Sequence, residues 1–248
     1  MYPACTEQLR VHTSSSNVRA DDEPQASYEK RQLADDPTWA GAALYSRRNL
    51  RFYDIALAFN CRVFWRCPRS RLVELCDAQV SGRHLDVGVA TGWLLDACRF
   101  PSAEPAITLM DLNPDTLAVA SERLARYRPT THQANALEPF GLPGNSFDSV
   151  GMSLVLHCLP GAMPSKAVVF EHARSVLAPG GVIFGATILN GGVDHTAVSR
   201  RAMQALNRKG HFSNLDDNLD DLDAALGRAS SEHELRVVGT VALFSART

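Results

Sequence analysis

Two carboxylates and two glycines, set within about thirty residues of one another, carry the clearest chemistry in this chain. Residues 84–93 read His-Leu-Asp-Val-Gly-Val-Ala-Thr-Gly-Trp. Leu85, Val87 and Val89 suit a buried strand, Gly88 and Gly92 free the backbone, and Trp93, Leu94 and Leu95 open a helical pattern. At such a strand-turn-helix junction a ligand can approach the main chain. The helix that follows points unpaired N–H groups and the positive end of its dipole at a carboxylate or phosphate. Downstream, Ala-Ile-Thr-Leu-Met-Asp at 106–111 reads as a second buried strand ending in a carboxylate, and Asn113-Pro114-Asp115 supplies an N-cap and the first two positions of a helix. A carboxylate at Asp111 can accept hydrogen bonds from both hydroxyls of a ribose. Its alternative is simply to begin a helix.

The spacing selects among ligands. A dinucleotide fingerprint needs G-x-G-x-x-G, whereas this turn is Asp86-Val87-Gly88-Val89-Ala90-Thr91-Gly92. It resembles D/E-x-G-x-G-x-G, the first motif of class I S-adenosylmethionine-dependent methyltransferases, with one departure at Ala90. A positive φ there would cost a methyl-bearing residue on the order of 1 kcal/mol. The resemblance implies S-adenosylmethionine as cofactor, with S-adenosylhomocysteine as product. It implies contacts from Asp86, Gly88, Ala90, Gly92, Asp111 and Leu112, and from Asn135 and Ala136 where the family has an Asp or Asn near the adenine. Asn135 read by itself is equally a turn residue.

The elements that must position these groups follow in order. From Trp39 to about Val80 the pattern is helical; Phe52, Ile55, Phe59 and Val63 recur as one stripe expected to be buried, and Pro68 precedes a second segment, Arg69 to Gln79. Helices placed before the first strand of this fold form a cap over the ligand cleft. Tyr53-Asp54 with Trp65-Arg66 resembles the leading segment of quinone-biosynthesis C-methyltransferases, in which a tyrosine reaches the methionyl carboxylate; Tyr45 or Tyr53 would do so here, or would pack the cap. Arg47, Arg48, Arg51, Arg62, Arg66, Arg69 and Arg71 form a solvated face, or one or two of them hold an anionic group of the substrate.

Strand four and its exit are expected over Phe147 to His157, and an acceptor would lie near the carboxyl end of that strand. His157 is therefore the catalytic candidate, as a general base or as a hydrogen-bond partner that orients the acceptor, with a plain junction residue as its alternative. A helix from about Ser165 to Leu177 and the Leu-Ala-Pro-Gly-Gly run at 177–181 lead to a strand at 182–189, a further point of resemblance. In the fold that the resemblance implies, an insertion at about 190–214 helps to roof the pocket, which offers His195, Asn207, His211 and Phe212 as lining residues, each with a structural role as its alternative, and two strands close the chain.

The resemblance implies an α/β architecture: a Rossmann-like, seven-stranded, mostly parallel sheet with helices on both faces, an antiparallel last strand and an N-terminal helical cap. The expected organisation is a flexible extension at 1–38, a cap at 39–80 and a methyltransferase domain at 81–248. A net charge of -2 gives no case for nucleic acid, no apolar run could span a bilayer, and residues 1–38 lack a signal-peptide core, which suggests a cytoplasmic protein. Six cysteines without a C-x-x-C pair argue against zinc and against a disulfide framework, and no metal is expected. The function implied is methyl transfer to a small-molecule acceptor, a metabolite or natural-product intermediate, by in-line displacement. The alternatives are an inactive cofactor-binding module and a dinucleotide-dependent oxidoreductase.

Overall fold

The structure is a computed structural model that describes Trp39 and residues 46–248. The expectations for residues 1–38 and for Tyr45 lie outside the described residues, as do the side chains of Arg47, Arg48 and Arg51. Strands β1 (Arg83–Val87), β2 (Ala106–Asp111), β3 (Thr130–Gln133), β4 (Phe147–Ser153), β5 (Leu177–Ile188), β6 (Glu232–Val238) and β7 (Val241–Arg247) form one sheet in the order β3-β2-β1-β4-β5-β7-β6. The pairs from β3 through β5 are parallel, and β7 runs antiparallel to both β5 and β6. This is the Rossmann-like sheet with a reversed last strand expected from the sequence.

Alternation along the strands sends side chains to two cores. In β7, Ala242, Phe244 and Ala246 join a cluster with Phe170 and Leu226, whereas Val241 and Leu243 join one with Trp65, Leu72 and Leu117. The first cluster lies under α6 (Val168–Val176) and α8 (Leu219–Ala229). The second lies under α1 (Arg47–Val63), α2 (Arg69–Gln79), α3 (Trp93–Ala97) and α4 (Pro114–Arg123). Asn113 caps α4 as its position implies, its side chain accepting the Asp115 N–H at 2.9 Å.

Several expected boundaries move. The stripe Phe52, Ile55, Phe59, Val63 does not face the core: these residues are 70%, 72%, 56% and 43% exposed. The buried face is Leu50, Leu57 and Cys61, with Tyr53 half-buried. Helix α1 carries two apolar stripes, and a 3.6-residue period does not say which one turns inward. Strand β4 stops at Ser153, and His157 sits in a 3₁₀ turn at Leu156–Cys158. The helix expected at 165–177 is split into α5 (Met163–Lys166) and α6. The chain enters β5 at Leu177 and passes through Pro179-Gly180-Gly181 within it. The pairing shifts from Phe147 against Leu177 to Ser149 against Val182, and Gly180 takes a φ of 75° to absorb the irregularity. The excursion after β5 carries α7 (Ala197–Arg208).

Candidate active site

The strand order reverses at β1, between β2 and β4, and in open α/β sheets the ligand crevice lies at the carboxyl ends of the strands beside such a point. A cleft is found there. Tyr53, Asp86, Gly88, Ala90, Gly92, Asp111, Leu112, Asn135 and Ala136, all singled out in the sequence, line it together. So do Trp93, Thr116, Ser153, Leu154, Val155 and Cys158, which no motif in the sequence assigns to it. Their side-chain types are ordinary, and only the register of β4 beside β1 brings Ser153, Leu154 and Val155 to the cleft.

The turn is built on left-handed backbone. Gly88, Ala90 and Gly92 have φ of 76°, 47° and 70°. A Cβ on Gly88 would lie 2.6 Å from a Val155 methyl, so this glycine is required by space as well as by conformation. The carboxylates are charged with difficulty. Burial, and then the charge of Asp111, push Asp86 up to about 8. Burial also raises Asp111, to about 6, against the pull of backbone N–H groups that include that of Asn113, 2.9 Å from its Oδ1. Beneath them His84, buried and stacked on Phe184 at 5.7 Å, shares a 2.8 Å hydrogen bond between Nδ1 and the Ser149 hydroxyl. Burial lowers its pKa to about 3, so it gives Asp86, 4.0 Å away, no compensating charge. Asn135 does turn duty, accepting the Leu137 N–H at 3.0 Å, while also bordering the cleft.

A second cavity of about 320 Å³ adjoins the cleft and shares Tyr53 and Leu154 with it. Its wall is apolar and aromatic, from Leu50, Leu57, Trp65, Ile188, Leu206 and Phe212, with Asn49, Asn60, His157 and His211 as polar points. Phe212 tilts against Trp65 at 5.7 Å and meets the edge of His157 at 4.4 Å. The Ile188 N–H donates to His157 Nδ1 at 3.4 Å, which leaves the proton of the neutral ring on Nε2. Burial and the charge of Lys166 lower His157 to about 3. Burial, then Lys209, also lowers His211.

Of the four roof candidates, His211 and Phe212 line this cavity. His195 is engaged by Ser199 and the Leu189 carbonyl, and Asn207 by Met203 and Asn214. None of the described arginines lines either space. Arg69 lies over the Trp93 ring at 3.6 Å, Arg66 donates to the Asp194 carbonyl at 2.5 Å, and Arg71 pairs with Glu74.

The methyltransferase domain family matches residues 85–183. Demethylluteothin O-methyltransferase of Streptomyces thioluteus is 42% identical over 87% of this chain and 94% of its own. The chain belongs to the class I S-adenosylmethionine-dependent methyltransferases. The physcion biosynthesis cluster O-methyltransferase of Aspergillus chevalieri is 34% identical over 85% of this methyltransferase and 96% of its own length. Among solved structures, a Haemonchus contortus phosphoethanolamine N-methyltransferase 2, in complex with phosphomonomethylethanolamine and S-adenosylhomocysteine, shares the fold. Its TM-score is 0.59 at 18% identity, over 83% of this methyltransferase and 46% of that chain.

The cofactor is therefore S-adenosylmethionine, and the residues present fit it. The Gly88 cradle has no room for a Cβ, and two carboxylates held short of water suit a ligand that brings positive charge. No helix among the described residues is long and apolar enough to cross a membrane.

Proposed function

We propose that this methyltransferase methylates a hydroxyl oxygen of a flat, apolar natural-product intermediate bound in the second cavity. The observation that carries this reading is the meeting of the two cavities at Tyr53 and Leu154, which would put an acceptor in the aromatic chamber beside a cofactor in the glycine cleft. The volume of about 320 Å³ is at the small end of ligand pockets. The two sequence relatives named above, at 42% and 34% identity, carry O-methyltransferase names and, in one case, a biosynthetic cluster of origin. The described wall is mostly apolar and aromatic with a few polar points, which suits a largely apolar acceptor.

In this reading Asp111 holds the ribose, Asp86 and the turn from Gly88 to Gly92 hold the methionyl end, and Tyr53 borders both ligands. Bound S-adenosylmethionine supplies an activated methyl on a sulfonium. The protein's part is to exclude water and to hold the acceptor oxygen in line with the bond that breaks, for which good positioning can supply roughly 7–11 kcal/mol. His157, neutral and with its proton on Nε2, acts as a donor that orients the acceptor. A base whose conjugate acid lies at about 3 is too weak to take a hydroxyl proton at neutral pH.

Binding and transfer experiments test this. Titration of S-adenosylhomocysteine into the wild type should show micromolar binding, and a still-folded Asp111→Ala should lose it by about a hundredfold, the scale of a charge-assisted pair of hydrogen bonds. Incubation with methyl-labelled cofactor and a panel of phenols, hydroxypyrones, amines and thiols should label the hydroxylated compounds. Label confined to amines or thiols would refute the oxygen assignment, and full activity in Trp65→Ala would refute the chamber. His157→Asn, which keeps a donor, should retain much of the rate, whereas a catalytic base replaced by Asn would lose it.

A further inference from the structure

A hydrogen-bonded cluster that the transfer chemistry does not use ties the wall of the second cavity to the cofactor turn. Asp54 lies in α1 beside Tyr53, which borders both cavities. Asp54 Oδ1 accepts the Thr91 hydroxyl at 2.6 Å, and Oδ2 accepts Arg123 Nη2 at 2.7 Å. Arg123 Nη1 also donates to Thr91 Oγ1 at 3.2 Å, closing a triangle between α1, the turn and the last residue of α4. The Asp54 carbonyl accepts Arg69 Nη1 at 3.3 Å, and that guanidinium covers Trp93. Thr91 is buried and stands between two residues of left-handed backbone, Ala90 and Gly92. It occupies the part of the turn whose conformation is costly and must be held by its surroundings. The outer side of α1, by contrast, is exposed along Phe52, Ile55, Phe59 and Val63.

We propose that Asp54 is a positioning residue which, with Thr91 and Arg123, registers α1 on the cofactor turn, so that a ligand in the cofactor cleft also fixes the wall of the acceptor chamber. A ligand that narrows the conformations of the turn narrows those of Thr91, and through Asp54 those of α1; by linkage a fixed α1 favours the ligand-ready turn. The consequence for catalysis, that the acceptor chamber is completed after the cofactor binds, rests on the proposed acceptor site. The coupling between turn and helix does not.

The test is amide hydrogen exchange over residues 47–63 in the full chain, with and without saturating S-adenosylhomocysteine. In the wild type the ligand slows exchange in α1 by about fivefold or more, the lower end of ordinary coupling between sites. Asp54→Asn and Thr91→Val, while still binding the ligand, lose most of that slowing, and Thr91→Ser, which keeps the hydroxyl, retains it. A merely structural cluster would lower the melting temperature in these variants without removing the ligand response. The proposal is overturned if wild-type α1 does not respond to the ligand, or if it responds equally in Thr91→Val and Thr91→Ser. The Thr91 pair decides the matter should Asp54→Asn fail to fold. Failure of the acceptor reading would appear separately, as absence of methyl transfer with the exchange pattern intact.

Discussion

Asp86 is the residue whose chemistry is most exposed to a simple measurement. Its pKa is raised from the usual carboxylate value to about 8, so at neutral pH the ligand-free protein holds a proton there that the unfolded chain does not. This contribution to stability is full below the unfolded pKa and is lost as pH rises through about 8. A cofactor with a sulfonium and an ammonium group favours the carboxylate, so binding at pH 7 should release up to about one proton. Calorimetry in two buffers of different ionisation enthalpy should detect it. Affinity should rise with pH up to about 8, Asp86→Asn should abolish the release, and no release from the wild type would contradict the assignment. Ala90 gives a second prediction. Its φ of 47° is the strained case foreseen from the motif, so Ala90→Gly should raise stability by on the order of 0.5–1 kcal/mol, the methyl strain relieved less the extra freedom of the unfolded chain. Denaturant midpoints would measure it. At this scale the sequence was informative because strand ends fix where Asp86, Asp111 and the glycines must point. It was silent about Ser153, Leu154 and Val155, whose types announce nothing.

Among the elements, the turn and the end of β4 depend on each other. Gly88→Ala would force its Cβ toward Val155 at 2.6 Å while keeping a positive φ. We expect S-adenosylhomocysteine affinity to fall by tenfold or more, a cost on the order of 1–2 kcal/mol, and Val155→Ala in the same chain to recover part of it. Equal losses in the single and double variants would mean that the strain lies in the backbone alone. Most strands could be read from apolar runs and turn residues, because a buried strand has few alternatives, whereas the seven-stranded sheet with its reversed last strand came from the family resemblance and the strand order from the fold itself. The orientation of α1 could not, since Leu50, Leu57 and Cys61 and the opposite set, Phe52, Ile55, Phe59 and Val63, obey the same period. The end of β4 is hidden in the sequence for a related reason: Leu154 to Leu156 remain apolar after the chain has left the sheet, and Leu154 takes a φ of 64°.

In the molecule as a whole, the excursion between β5 and α8 is fastened at both ends by one buried ion pair. Lys166 of α5 meets Asp217 at 2.6 Å and donates to the Ser213 carbonyl at 2.6 Å, while the Asp217 carbonyl accepts the N–H groups of Asn190 and Gly191. Both side chains are fully buried, and burial pushes each toward its neutral form. Lys166→Met should therefore destabilise the protein by about 3–5 kcal/mol, because it strands a buried carboxylate, whereas Lys166→Met with Asp217→Leu should cost much less. Urea midpoints of the three proteins would decide between this and a pair that matters only for its packing. Neither partner could have been matched from the sequence. Asp217 sits in an acidic run that suggests a solvated face, and about fifty residues separate it from Lys166, a closure that only the fold specifies.

The reversed strand has a consequence in time. Strand β7 fills the gap between β5 and β6, and it is made about fifty residues after the end of β5. At about 5–20 residues per second, a nascent chain holds the long edge of β5 without its partner for on the order of seconds. During that interval the row of backbone donors and acceptors that β7 will cover is open to any other extended chain. The yield of folded protein should therefore depend on what the ribosome and its chaperones place over that edge while the remaining residues emerge.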